Sequence, residues 1–309
     1  MKTFNLIISA LSILWLTSCV QASLIEEVEK QETKMVEVDL NLDFSTKEDA
    51  WVNSKGVDSR ATIAESEVTH IALKVFDSDN NAVLDTIQTK TDLGDKFGIL
   101  NDLRISAGTY TFVVVAHNAA TKENPQPAII NSPTEVIIPE TNLYETYATV
   151  KKSVEIGIYE STNINLTLSL MVTKLTFKVM DAITPETAFV RATVNTDATE
   201  AESLTINPTT GLFTTDAAFS KSWKISSIHI GKTDRTFNII AGLTDYTTGI
   251  NLKLEALDSD ENVIYSRTFT DIELNRAKRR TLNTNLFTGG TETTIELEEW
   301  GDDEDITIK

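Results

Sequence analysis

Val36, Val38, Leu40, Leu42 and Phe44 alternate with Glu37, Asp39, Asn41 and Asp43. Successive side chains of a strand point to opposite faces, so this segment predicts a β-strand with one face buried. After a polar stretch over 45–67, the alternation resumes at Ile71, Leu73 and Val75 and ends in the turn Asp77-Ser78-Asp79-Asn80-Asn81, with a second strand predicted from Ala82. Residues 110–116 are apolar on both faces, the pattern of a central strand. Beyond a Pro-containing loop at 121–127, strands are predicted over 135–138, 153–159 and 163–172. Thr, Val and Ile are abundant and no long stretch places apolar residues at helical spacing, which predicts an all-β chain.

The run 163–180 holds two alternating segments with little turn chemistry between them. A boundary near Met171 to Lys174 therefore divides the chain into an N-terminal domain over 35–171 and a C-terminal domain over 172–309. So short a junction favours a fixed angle between them. The Asp-Ser-Asp turn after Leu73 has an echo at Asp258-Ser259-Asp260, again between two strand-like segments, which suggests two domains of one type.

The first eighteen residues carry one charge, Lys2, and an apolar run from Phe4 to Leu16 broken by Asn5, Ser9 and Ser12. This is the anatomy of a secretory signal, too short to span a bilayer. It ends in Leu16-Thr17-Ser18-Cys19, which resembles the lipobox cut by lipoprotein signal peptidase; Cys19 is the chain's one cysteine. Cleavage before Cys19 and lipid attachment to it are expected, and two or three fatty chains suffice for stable anchoring. Residues 19–34, acidic through Glu26, Glu27, Glu29 and Glu32, read as a flexible leash. The acidic stretch also resembles the surface-export signals of outer-membrane lipoproteins, so the expected location is the outer membrane, facing outward.

Loss of the signal leaves 291 residues with 26 basic against 46 acidic side chains, a charge of −20. So acidic a surface disfavours nucleic acid and anionic headgroups as partners. A lone cysteine excludes an intrachain disulfide and a multi-thiolate metal site. Asp77, Asp79 and Asn81 occupy the first, third and fifth places of a calcium loop, but Ala82 and Gln88 stand where Gly and Glu are needed, so the turns read as solvated hairpins. His70, His117 and His229 are far apart and follow no metal-ligand spacing; neither nucleophile elbow nor phosphate loop appears. No catalysis, cofactor or metal is expected. Trp51, Trp223 and Trp300 read as half-buried strand residues, with a sugar-stacking platform as the alternative. Arg276, Lys278, Arg279 and Arg280 read as a solvated loop entering a strand, with a docking spot for an acidic partner as the alternative.

Four segments in order resemble the fimbrillin superfamily, the lipoprotein-derived subunits, anchors and accessory proteins of type V pili. They are Ser59-Arg60-Ala61-Thr62 leading into 71–77, the run 105–118, Met171-Val172-Thr173-Lys174 continuing to 179, and 275–282 running on to Trp300. The resemblance implies two tandem transthyretin-like β-sandwiches. It also implies assembly with other pilus subunits by strand exchange, in which a strand of one subunit completes the open sheet of the next. Val36, Val38, Leu40, Leu42 and Phe44 then mark the removable strand, and Arg60 the place of an arginine-specific cut. Leu170 stands where many relatives carry a basic residue, and the tail over 301–309 is short and acidic. The short tail, poorly suited to donate a strand, favours an anchor or accessory subunit contributing to adhesion. The competing expectation is a glycan-binding outer-membrane lipoprotein beside a transporter.

Overall fold

A computed structural model describes residues 34–45, 67–118, 126–139, 143–158, 161–195, 198, 203–214, 218–288 and 293–299. Strands make up 65% of the structure and helices 5%, so the chain is all-β, the helices being single turns such as Lys90–Leu93. The strands up to Met171 are β1 (Met35–Ser45), β2 (His70–Phe76), β3 (Ala82–Thr89), β4 (Leu100–Ser106), β5 (Gly108–His117), β6 (Ile129–Ser132), β7 (Glu135–Ile138), β8 (Thr146–Ile156) and β9 (Thr162–Leu170). Those after it are β10 (Val172–Val179), β11 (Phe189–Val194), β12 (Leu204–Asn207), β13 (Leu212–Phe213), β14 (Phe219–Lys224), β15 (Arg235–Gly242), β16 (Thr247–Leu257), β17 (Val263–Asn275), β18 (Lys278–Thr284) and β19 (Thr293–Glu299).

In the first half, β3-β2-β5-β8-β9-β1-β4 form one sheet, in that order. It is nearly split in two between β8 and β9, which pair only at Tyr147–Leu170 and Ala148–Ser169. In the second half, β14-β11-β16-β17 and β15-β10-β18-β19 are separate four-stranded sheets. The two halves share one plan. The first strand of each runs parallel to a late one, β1 beside β9 and β10 beside β18, and antiparallel to a third, β4 or β15. The other four strands follow the same order, β3-β2-β5-β8 corresponding to β14-β11-β16-β17. The addition is β19, which extends the second half beyond β18.

A further sheet, β13-β12-β7-β6, joins the halves, because β7 pairs with β12, Val136 opposite Ile206. It explains why β5 is buried on both faces over 112–117, as the sequence pattern predicted, and β2 everywhere but Lys74. One face meets the first half's own core. Over the other lie Ile130, Val136 and Ile138 with Leu204, Ile206 and Phe213 from beyond Met171, all in one apolar cluster. Lys74 donates to the carbonyl of Ile130 at 3.0 Å across that seam. A second cluster, built on Leu175, Phe177, Val190, Phe237, Leu254 and Leu282, fills the second half. Met171 is the single residue between β9 and β10, and it is fully buried.

The strand predicted over 153–159 instead begins at Thr146 and ends at Ile156. Its early part pairs with β5, and Ser153, at φ 56°, disturbs the alternation from which the sequence reading began. The apolar run predicted over 163–172 breaks at Met171 into β9 and β10.

Candidate functional site: the place of β1

Strand β1 lies inside its sheet, between β9 and β4. Its residues 38–45 run parallel to 162–169 of β9, and its residues 35–40 run antiparallel to 100–106 of β4. Alternation turns Val36, Val38, Leu40 and Phe44 into the core, where each is buried, while Leu42 is half-buried. Burying those four side chains contributes about 6–12 kcal/mol gross. Phe44 meets the ring of Tyr147 edge-on at 4.9 Å. The hydroxyl of Tyr147 donates to Glu145 at 3.2 Å, and burial, with the Glu145 charge, raises its pKa. On the outward face Asp39 accepts from the Asp102 N–H at 2.9 Å, and Asn41 donates to the Asn165 side chain at 3.0 Å. Among the described residues β4 pairs with β1 alone. Withdrawal of β1 would therefore strip one edge of β9, orphan β4 and leave an apolar slot between them.

Cys19, Arg60, Trp51 and Trp300 lie outside the described residues. Trp223 is half-buried, packed on Phe237 with 5.2 Å between rings, and carries the Lys221 ammonium 5.4 Å from its centre. Burial, then the Lys174 charge, lowers the pKa of Lys221, which donates to the Asn238 carbonyl at 3.1 Å.

The histidines read as unrelated are in part brought together. His70 and His117 are register partners on β2 and β5 with rings 5.7 Å apart, and both are buried. The Ala128 N–H donates to Nε2 of His117 at 3.1 Å, which requires that nitrogen unprotonated. Burial, with the neighbouring His70, lowers His117 to about 4, and burial lowers His70 as well. Sequence offered no signal for this pair, because 47 positions separate two residues that only β-pairing aligns. His229 sits apart in a turn, Ser227–His229.

Both Asp-Ser-Asp turns are hairpins of one geometry. Asp77 accepts from the N–H groups of Asp79 and Asn81 at 2.9 and 2.8 Å; Asp258 accepts from Asp260 and Asn262, both at 2.9 Å. These bonds, with those from the Asn81 and Asn262 side chains, hold both carboxyl groups below their usual pKa. Among the described residues no group of three or more His, Cys, Asp or Glu is arranged to hold a metal ion.

The basic run is a correction: only Arg276 and Ala277 form a turn, and Arg276, 2 % exposed, is among the most buried large side chains. It donates to the Thr210 carbonyl at 2.7 Å and lies 5.4 Å from the centre of the Tyr246 ring. Lys278 and Arg279 start β18, and the register sets them opposite Glu299 and Glu298 of β19. Arg280 donates from Nε to the Glu273 carbonyl of β17 at 2.8 Å.

A sequence model of the fimbrillin-A associated anchor proteins Mfa1 and Mfa2 matches residues 30–304. The chain belongs to this family. The anchor family is one of fimbrial proteins, not an enzyme class. Among solved structures, the chain is similar to the fimbrial anchor protein Mfa2 from Porphyromonas gingivalis, with 12% identity, a TM-score of 0.47, and 86% of this chain and 98% of that one covered. It is also similar to the tip fimbrial protein Mfa3 of that organism, truncated at its C-terminus, with 13% identity, a TM-score of 0.45, and 86% and 100% covered. A candidate adhesin from Bacteroides ovatus shows 13% identity, a TM-score of 0.47, and 79% and 85% covered. Among curated proteins none matches the sequence. The family assignment rests on the sequence match over 30–304.

Proposed function

We propose that this member of the anchor family is an outer-membrane lipoprotein, held by lipid on Cys19, that serves as an anchor or accessory subunit of a fimbria. It contributes to adhesion and joins its neighbours by strand exchange. The observation that carries the reading is the position of β1, which is interior to its sheet yet nearest the leash and attached to the body through two ladders and one apolar face. A strand so placed completes a slot that an extended chain of the same alternation would fill. The domains proposed are those of the sequence reading, 35–171 and 172–309. In an anchor the N-terminal strand stays, so Arg60 is left uncut and the protein isolated from its cells begins at lipidated Cys19.

Two measurements test the reading. Chains beginning at Val20 and at Ala61 are compared for thermal unfolding and for binding of a peptide spanning 35–45. The shorter chain is expected to melt lower and to bind the peptide, which the longer one refuses; equal melting without binding removes the mechanism. For the lipid, Cys19→Ala is expected to leave the membrane fraction, and full retention there refutes the anchor.

A further inference from the structure

The shared plan of the two halves leaves one place filled in the second and open in the first. In the second half the free side of β18 is covered by β19, running antiparallel with Leu282 opposite Ile295. The corresponding strand of the first half is β9. Among the described residues, 162–168 pair with no strand on the side away from β1, because β8 touches β9 only at Leu170 and Ser169. The edge is turned outward by the odd-numbered residues. Ser169 pairs on that side, and Asn165 accepts there from the Lys151 ammonium at 3.1 Å. Residues two apart point the same way, so Asn163, Asn165 and Thr167 turn their N–H and C=O groups to the gap.

Edges left open in natural sheets are usually blunted with charge, proline or a bulge. Strand β9, TNINLTLSL, has no charge and no proline, and Asn163, Asn165 and Thr167 are exposed. What stands at the edge is borrowed from β8: exposed Lys151, whose contact among the described residues is the Asn165 carbonyl and no carboxylate. In a chain of net charge −19, a cation that meets no carboxylate among the described residues is notable at such a place. The second half shows what a guest looks like. Strand β19, TTIELEE, alternates apolar and acidic residues; Glu296 accepts from the Asn283 side chain at 3.2 Å, and Glu298 and Glu299 stand opposite Arg279 and Lys278. Asn165 and Thr167 on β9 offer the same polar pair, in reverse order, as Thr281 and Asn283 on β18, with Lys151 supplying the positive charge.

We propose that the outer edge of β9 is a second strand-accepting site, which takes an extended partner segment of alternating apolar and acidic residues in antiparallel register while β1 stays in place. Lys151 guards the edge when it is empty, and turns from the Asn165 carbonyl to an acidic side chain of the guest when it is filled. This site does not depend on the exchange of β1, and its failure would leave that reading intact.

The test is addition of a labelled peptide, Thr-Thr-Ile-Glu-Leu-Glu-Glu, to the full chain, with amide exchange followed residue by residue. Binding is expected to slow exchange about tenfold at Asn163, Asn165 and Thr167. A Lys151→Glu variant, altered at an exposed side chain and leaving the core untouched, is expected to bind about tenfold more weakly. The same peptide N-methylated at alternate residues, which cannot complete the ladder, is expected not to bind. No protection at those three amides overturns the proposal. So does protection gained in β4 with loss in β1, which would put the peptide in the β1 slot instead.

Discussion

Gly211 and the buried guanidinium of Arg276 meet so closely that a Cβ on Gly211 would overlap Nη1 of Arg276 and press on Met171 Sδ at 3.0 Å. Three parts of the chain converge there: the turn between β12 and β13, the turn between β17 and β18, and the junction between β9 and β10. Gly211 also holds φ +73°, where an L side chain is strained. Gly211→Ala is therefore expected to destabilise by about 2–4 kcal/mol, combining overpacking with backbone strain. Urea unfolding measures it, and a change within about 0.5 kcal/mol would show that the junction yields freely.

Arg276→Ala tests the other side of the contact. It removes the donor to the Thr210 carbonyl and leaves a cavity beside Met171. A loss of about 2–4 kcal/mol is expected. Arg276→Lys should recover only part of it, because an ammonium cannot reproduce the planar fork.

The bridging sheet makes a further demand. A chain ending at Met171 keeps β7 but loses its partner β12, and uncovers the face packed by Leu204, Ile206 and Phe213. At about 1.5–3 kcal/mol for each buried side chain, those three alone approach the net stability of a domain. Residues 20–171 are therefore expected to aggregate or to lack a cooperative melt when expressed alone. Adding 172–309 on a separate chain should restore one.

Acid should weaken the fold through His117. Its pKa, near 6.5 when free, falls to about 4 in the folded chain, so the folded state binds fewer protons. Stability from this source is complete above pH 6.5 and drains as pH falls towards 4, by about 3 kcal/mol in all. His70 is lowered too and adds in the same direction. Unfolding midpoints measured between pH 7 and pH 4 should fall less steeply in His117→Gln, which still offers an acceptor to the Ala128 N–H but does not titrate.

Within β1 the two faces should respond differently. Leu40→Ala empties a core position and is expected to cost about 2–5 kcal/mol, while Leu42→Ala, at a half-buried place, should cost visibly less. Equal effects would mean that the alternation does not decide which residues hold the strand.

Strand β1 was legible because nine residues alternate without a fault, and β5 because only a strand covered on both sides needs apolar residues throughout. The cover itself was not legible. Leu204 and Ile206 supply two apolar positions in a four-residue strand, and their partner β7 lies more than sixty residues earlier, beyond any periodicity. The Asp-Ser-Asp echo pointed to two halves of one type, but through a feature that does not carry their correspondence. Its two copies fold alike, yet one joins β2 to β3 and the other β16 to β17, pairs that do not correspond in the shared plan. The likeness is turn chemistry, whereas the correspondence of the halves resides in strand order. Arg276 was misread because its neighbours Lys278 to Arg280 made it part of a charged run, and nothing local distinguishes the one guanidinium that goes inside.

The parallel pairing of β1 with β9 matters for load. Eight register pairs join these strands, and five more join β1 to β4. A pull on residue 34 along the strand axis strains all of these links at once, in shear, whereas a hairpin pulled from its open end gives way one rung at a time. A tether in front of β1 would thus transmit tension into the body by loading both ladders together rather than rung by rung.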